Sequence, residues 1–314
     1  MILLLQYTII FASVLMLVAL GGCFAERSGV INIGLEGIMV IGALGGALVM
    51  KFLPVTAGAF VMVLLTILAA ALFGMLFSLL LAVAAINFKA DQTITGTAMN
   101  MLATAGATVA VKAMNTAASH GNDVSSDIVY TAAKDLFIVR VGSFEFNWFM
   151  LVAVICLAIS YVLLYKTRFG LRMRACGEHP QAADSVGINV YKMRYAGVLI
   201  SGLLGGLGGI VYITAGVSVW KFENGVAGFG FLALAVMIFG AWHPIKIALA
   251  ALLFGFFRAL GNVYSGFDFL AAMNIPSVVY NMLPYVISLV VLAFTSQKSR
   301  APKAEGIPYD KGTR

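Results

Sequence analysis

Threonine and asparagine recur at helical spacing inside a segment that is otherwise hydrocarbon-soluble: Thr93, Thr97, Asn100 and Thr104 fall on one face of a helix. Hydroxyls and amides set out this way can hydrogen-bond a neutral solute without placing a fixed charge in a membrane. That face is expected to look at other helices or at water. A second polar cluster, ERSGVINIGLE over residues 26–36, combines Glu26, Arg27, Asn32 and Glu36 with Gly29 and Gly34. Polar side chains and non-helical backbone are tolerated at membrane depth only where they are buried in protein or line a wet cavity. Asn32 and Glu36 are therefore candidate residues of a broken or re-entrant mouth on a translocation path, the plain alternative being an interfacial turn. A third candidate is the Phe229-Gly230-Phe231 opening of a short apolar run that ends at Trp242-His243-Pro244, with Phe229 and Phe231 as aromatic neighbours of the path. Interrupted spans in two parts of a chain often mark an internal repeat with the pathway between the halves.

Absent motifs narrow the chemistry. The sequence has no G-x-x-x-x-G-K-[ST] phosphate loop, no H-E-x-x-H pair and no G-x-S-x-G elbow. No catalytic residue and no cofactor is expected. Cys23, Cys156 and Cys176 are too scattered for a disulfide framework or a metal site, and the lone His120, His179 and His243 fall in predicted loops or at span ends. An ion-driven carrier normally shows acidic residues deep within its spans, whereas Glu36 and Asp91 sit at span mouths and Arg258 near an outer end. Energy must come from elsewhere.

The elements that position these residues are membrane spans. Hydrophobic residues make up 61% of the 314 and charged residues only 11%, against roughly half and a quarter in soluble domains. With about 20 apolar residues needed per crossing, runs near 4–23, 35–50, 57–86, 93–113, 147–165, 195–216, 226–241, 245–261 and 278–296 predict an all-α polytopic membrane protein of about nine spans, within eight to ten. The first run ends in Leu-Gly-Gly-Cys like a lipoprotein signal, but no Lys or Arg precedes Arg27, so an uncleaved span is expected. The basic stretch 166–194 carries Lys166, Arg168, Arg172, Arg174, Lys192 and Arg194 against Glu178 and Asp184. The positive-inside bias places it in the cytoplasm. Counting outward gives a cytoplasmic tail at 297–314, a cytoplasmic turn at 87–92, an external loop at 114–146 and an external N-terminus, with residues 1–296 forming the transmembrane domain. The net charge of +7 is then topological, facing membrane lipid, and implies no nucleic acid. Small residues four apart, Gly202/Gly206, Gly205/Gly209 and Gly42/Gly46, predict close contact between spans.

ERSGVINIGLEGIMVIGA (26–43), DQTITGTAMN (91–100), FGLRMRACGEHPQAADSVGINV (169–190) and GFGFLALAVMIFGAWHP (228–244) resemble the permease subunits of bacterial ABC importers in the branched-chain amino acid and sugar permease superfamily. The resemblance spans about residues 5–296 and is strongest to the shorter permease of purine and general nucleoside importers. It implies the ABC importer permease fold, a cytoplasmic coupling-helix loop at 166–194, a second and longer permease, a cytoplasmic ATP-binding subunit and an external substrate-binding lipoprotein. In the loop, Gly177, Ala182, Ala183, Gly187 and Ile188 hold matching places, while His179 and Pro180 depart from the usual residues. Pro180 suits a first helical turn, and Gln181 to Val186 can form a short helix stopped at Gly187. Ala182, Ala183 and Val186 are expected to present a small apolar face to a groove on the ATPase, with Gly177, Glu178, Gly187 and Ile188 completing the coupling element. ATP hydrolysis would then belong to a separate subunit and the chain itself would not be an enzyme. For the solute, a small molecule, a nucleoside suits a lining of Asn32, Thr93, Thr97 and Asn100 with aromatic neighbours; branched-chain amino acids, monosaccharides and riboflavin remain alternatives. An ion-driven carrier and a non-transporting scaffold are the readings from other classes.

Overall fold

The computed structural model describes residues 2–130, 133, 135–142, 144–214, 219–267, 276–295 and 301–312. Each of the nine apolar runs contains a helix: α1 (Ile2–Arg27), α2 (Leu35–Phe52), α3 (Ala59–Ala82), α4 (Gln92–Ala118), α5 (Trp148–Lys166), α8 (Val190–Thr214), α9 (Phe229–Phe239), α10 (Pro244–Val263) and α11 (Ser277–Thr295). The short helices α6 (Arg168–Glu178) and α7 (Pro180–Ser185) lie between α5 and α8. Among the described residues, seven helices are long and apolar enough to cross a membrane. The protein is a multi-pass membrane protein. α9 falls short by length, since its 11 residues reach only about 16 Å, roughly half of a hydrocarbon core.

Local sequence explains where the helices begin. Asp91, Asn147 and Thr167 each cap the helix that follows, accepting from Ile94 N, Phe149 N and Gly170 N at 2.9, 2.9 and 3.2 Å. Pro180 and Pro244 occupy first turns, where a missing N–H costs nothing. α3 runs on through a π-helical turn at 83–87, which carries the predicted span to its end.

α1 is buried at every position from Ile10 to Glu26, and α8 packs beside it. Backbones meet closely here. A Cβ on Gly42 would overlap the Cα of Gly206, so α2 and α8 can touch only because both positions are glycine. On α3 the inward stripe is Met62, Thr66, Ala70, Gly74 and Ser78, while Phe60, Leu64, Leu68, Leu72 and Leu76 are exposed. That separation is the signature of a span with one face on protein and the other on lipid.

Polar features divide between two faces. One face gathers the end of α1, the 87–91 turn, α6, α7, the start of α8, the 240–243 turn and residues 301–312, joined by Arg27–Glu178 at 3.7 Å and Lys89–Asp310 at 2.7 Å. The opposite face carries two small sheets, β1 (Asp127–Val129) with β4 (Val219–Lys221) and β2 (Ile138–Val141) with β3 (Phe144–Asn147). Gln6 of α1 donates to Glu145 there at 3.4 Å, and Lys51 to Asn115 at 2.8 Å. The first turn of α1 and the 301–312 segment thus lie on opposite faces. All three cysteines are free thiols.

Candidate functional site

The break between α1 and α2 is non-helical at 28–34, with Val30 and Asn32 buried. Its depth follows from packing: a Cβ on Gly22 would lie 3.2 Å from Leu35 Cδ1, and Gly22 sits five residues before the end of α1, about 7.5 Å along its axis. α2 therefore starts inside the helical layer. Glu36 is in its first turn, and its carboxylate accepts from Gly228 N at 2.8 Å and Gly230 N at 2.7 Å. Those amides belong to the opening of α9, where Gly228 holds φ +78°. An anion on the exposed amides of a helix N-terminus is a favourable pairing. Glu36 thus staples one interrupted helix to the other; the two breaks meet here.

Asn32 and Asn100 are absorbed into the same construction. Asn32 Nδ2 donates to Ser201 Oγ at 2.8 Å, while its Oδ1 has no hydrogen-bond partner among the described residues. Asn100 accepts from Gly37 N at 2.8 Å and donates to Ile33 O at 3.0 Å, so its amide satisfies backbone on both sides of Gly34. Phe229 is fully buried between Phe11 and Tyr212, ring centroids 5.7 and 4.5 Å away, with the Arg258 guanidinium 5.2 Å above its ring. Thr93, Thr97 and Phe231 are exposed. The predicted α4 stripe is consequently split. Thr93 and Thr97 lie on the open side, and Asn100 turns toward the break.

The second cluster lies on the α7 face. Pro180 to Ser185 form the short helix, and Gly187 at φ +84° follows it, with Ile188 N returning to Ala183 O at 3.0 Å. The outward residues are Gln181, Ala182, Ser185 and Val186, the last 75% exposed. Ala183 corrects the expectation of a shared face with Ala182 and Val186: it is buried against Cys176, Val190 and Tyr309. A six-residue helix has one inward side, and Ala183 occupies it. Gly177 packs on the backbone of Arg27, where any Cβ would overlap Arg27 O, and Glu178 pairs with Arg27.

Glu26, Arg27 and Trp242 stood out in the sequence, but nothing local paired them. Arg27 donates to Trp242 O through Nε and Nη2 at 3.3 and 3.2 Å, and Trp242 Nε1 donates to buried Glu26 at 2.5 Å. Ala241 and Trp242 hold φ of 50° and 52°, a left-handed turn that costs on the order of 1–3 kcal/mol per residue. Those contacts hold the turn in place.

Two interrupted spans meet inside a helical layer, with a short exposed helix beneath, an arrangement that suits a membrane permease. The chain belongs to the family described as branched-chain amino acid transport system, permease component, which matches residues 4–294. It is a transport component and not an enzyme. The guanosine ABC transporter permease protein NupQ of Bacillus subtilis is 43% identical over 311 residues, covering 98% of this chain and 96% of its own length. The nucleoside ABC transporter permease protein NupC of Lactococcus lactis is 41% identical over 310 residues, covering 96% and 95%. NupB of the same organism, also a nucleoside ABC transporter permease protein, matches at 27% over 187 residues, covering 55% of this chain and 49% of its own length.

Proposed function

We propose that this chain is one permease subunit of an ATP-driven importer of nucleosides, with the 166–194 segment in the cytoplasm as the docking element for a separate ATPase. What carries the reading is the 43% and 41% identity, over nearly the whole chain, to permease proteins named for guanosine and for nucleosides. The pathway contributed by this half includes Thr93, Thr97 and Phe231 on the open side, with Asn32, Glu36, Asn100 and Phe229 holding the meeting of the two breaks. A neutral, flat solute rich in hydrogen-bond groups suits hydroxyls and aromatic rings in a largely apolar wall. The remaining partners are a second, longer permease, in keeping with the match to NupB, and an external lipoprotein that sets specificity. The membrane is the bacterial cytoplasmic membrane, with the N-terminus external and the tail cytoplasmic.

Docking rests on Gln181, Ala182, Ser185 and Val186, with Gly177, Glu178, Ala183, Gly187 and Ile188 fixing the helix that presents them. The test is uptake by the complete complex in proteoliposomes with ATP inside, offered labelled adenosine, guanosine, leucine, ribose and riboflavin. Nucleoside accumulation is expected. Import of leucine, ribose or riboflavin without nucleosides overturns the solute assignment and leaves an ABC permease. Ala182→Arg is expected to lower ATPase stimulation and uptake together by at least tenfold; retention of both removes α7 as the docking helix.

A further inference from the structure

Residues 301–312 belong to no span, yet they are fixed across the α7 face. Ala304 N donates to Gly177 O at 2.9 Å, joining the segment to the end of α6. Gly306 N donates to Gly29 O at 3.3 Å, and Arg194 Nη1 to Ile307 O at 3.0 Å, which joins it to the α1–α2 break and to α8. Tyr309 is 4% exposed and packs with Ala183 on the inner side of α7, its ring edge-on to Tyr191 at 5.3 Å. Asp310 closes the far end on Lys89 at 2.7 Å. The path is specified by sequence: Gly306 holds φ +75°, and a Cβ there would stand 2.7 Å from Ile31 Cδ1. A merely solvated basic tail would not bury a tyrosine.

One further contact shows what the segment connects. The Glu305 carboxyl stands beside that of Glu26, which accepts from Trp242 Nε1. The segment therefore touches α7 at Ala183, the first break at Gly29 and, through Glu26, the turn that ends α9. The opposite ends of those two broken elements meet at Glu36. We propose that residues 301–312 are a transmission strap that passes movement of α7 to both interrupted spans, so that docking of the ATPase is converted into rearrangement of the path. This rests on α7 being the docking helix.

The test uses the complete complex in proteoliposomes with two strap variants, Gly306→Val and a chain ended after Arg300, beside Ala182→Arg. ATP hydrolysis, labelled guanosine uptake and tryptic cleavage after Lys303 are measured for each. Both strap variants are expected to hydrolyse ATP within twofold of the native rate while guanosine moved per ATP falls at least fivefold, and Gly306→Val to be cut several-fold faster. Unchanged guanosine per ATP overturns the strap. Loss of hydrolysis in step with uptake also overturns it, because that marks a tail needed only for folding. Should the shortened chain not assemble, Gly306→Val decides alone. If Ala182→Arg behaves as native, the docking reading fails separately, and native cleavage as fast as that of Gly306→Val still overturns the seated strap.

Discussion

Glu36 shows how a residue can be legible in type and not in role. Its position at the mouth of an apolar run marked it as unusual, and an acidic group there suggested a path-lining residue. The structure instead gives its two oxygens to Gly228 N and Gly230 N, residues 192 and 194 positions away, a pairing that no local pattern encodes. Glu36→Ala leaves both amides unpartnered inside the helical layer, and hydrogen bonds to charged groups are worth about 1.5–3 kcal/mol each. We expect Glu36→Ala to lower the thermal midpoint of the purified protein by several degrees or more. Glu36→Gln, which keeps one strong acceptor, is expected to fall between; equal midpoints for all three would remove the staple. Glu305 supports a second prediction. Burial raises its carboxyl from the usual 4.5 to about 6, with the neighbouring Glu26 carboxyl and then the charge of Arg27 pulling the other way. A raised value means that the seated segment binds the proton more tightly than the released one, so the contribution is complete below about 4.5 and is lost as pH rises through about 6. A spin label on Pro308→Cys should become more mobile between pH 4.5 and 7.5, and Glu305→Gln should flatten that change.

At the scale of elements, the helices of the nine apolar runs were readable, seven of them long enough to cross among the described residues, because hydrocarbon thickness sets span length, and the glycine pairs were readable because small residues four apart have one main use in a membrane. The identity of the opposing glycine was not readable. Gly206 meets Gly42 and Gly74, which lie on two different helices. Gly206→Leu would drive a branched side chain into two backbones at once, well beyond the 1–3 kcal/mol typical of modest overpacking. The expected outcome is loss of monodisperse protein on size-exclusion chromatography in detergent, while the same change at Gly106, where a Cβ would meet nothing within 4 Å, is expected to be tolerated. The face of α7 was misassigned for a related reason. Its helix and its glycine stop follow from local sequence, but the inward side is decided by Tyr309, more than 120 residues later in the chain. Local pattern predicts an element far better than it predicts what covers that element.

At the scale of the whole molecule, the fold reduces orientation to a single choice. The sheets, the start of α1 and the ends of α2 and α4 share one face, while α6, α7, the Arg27 end of α1 and residues 301–312 share the other. Charge arithmetic at 166–194 assigns the second face to the cytoplasm, and no contact within the chain can make that assignment, because an inverted molecule would have identical packing. The experiment therefore needs one exposed position on each face. Asn122 and Ser185 are both exposed, on the sheet face and the α7 face respectively. With Asn122→Cys and Ser185→Cys made separately, an impermeant maleimide is expected to label position 122 in intact cells, and position 185 only after the membrane is opened. Buried Cys23 and Cys176 should remain silent under both conditions. Labelling of 185 but not 122 in intact cells would invert the molecule, carry α7 away from any cytoplasmic ATPase and remove the basis for coupling. Labelling of both would contradict the grouping of the faces itself, since an odd number of crossings separates the 119–123 turn from α7.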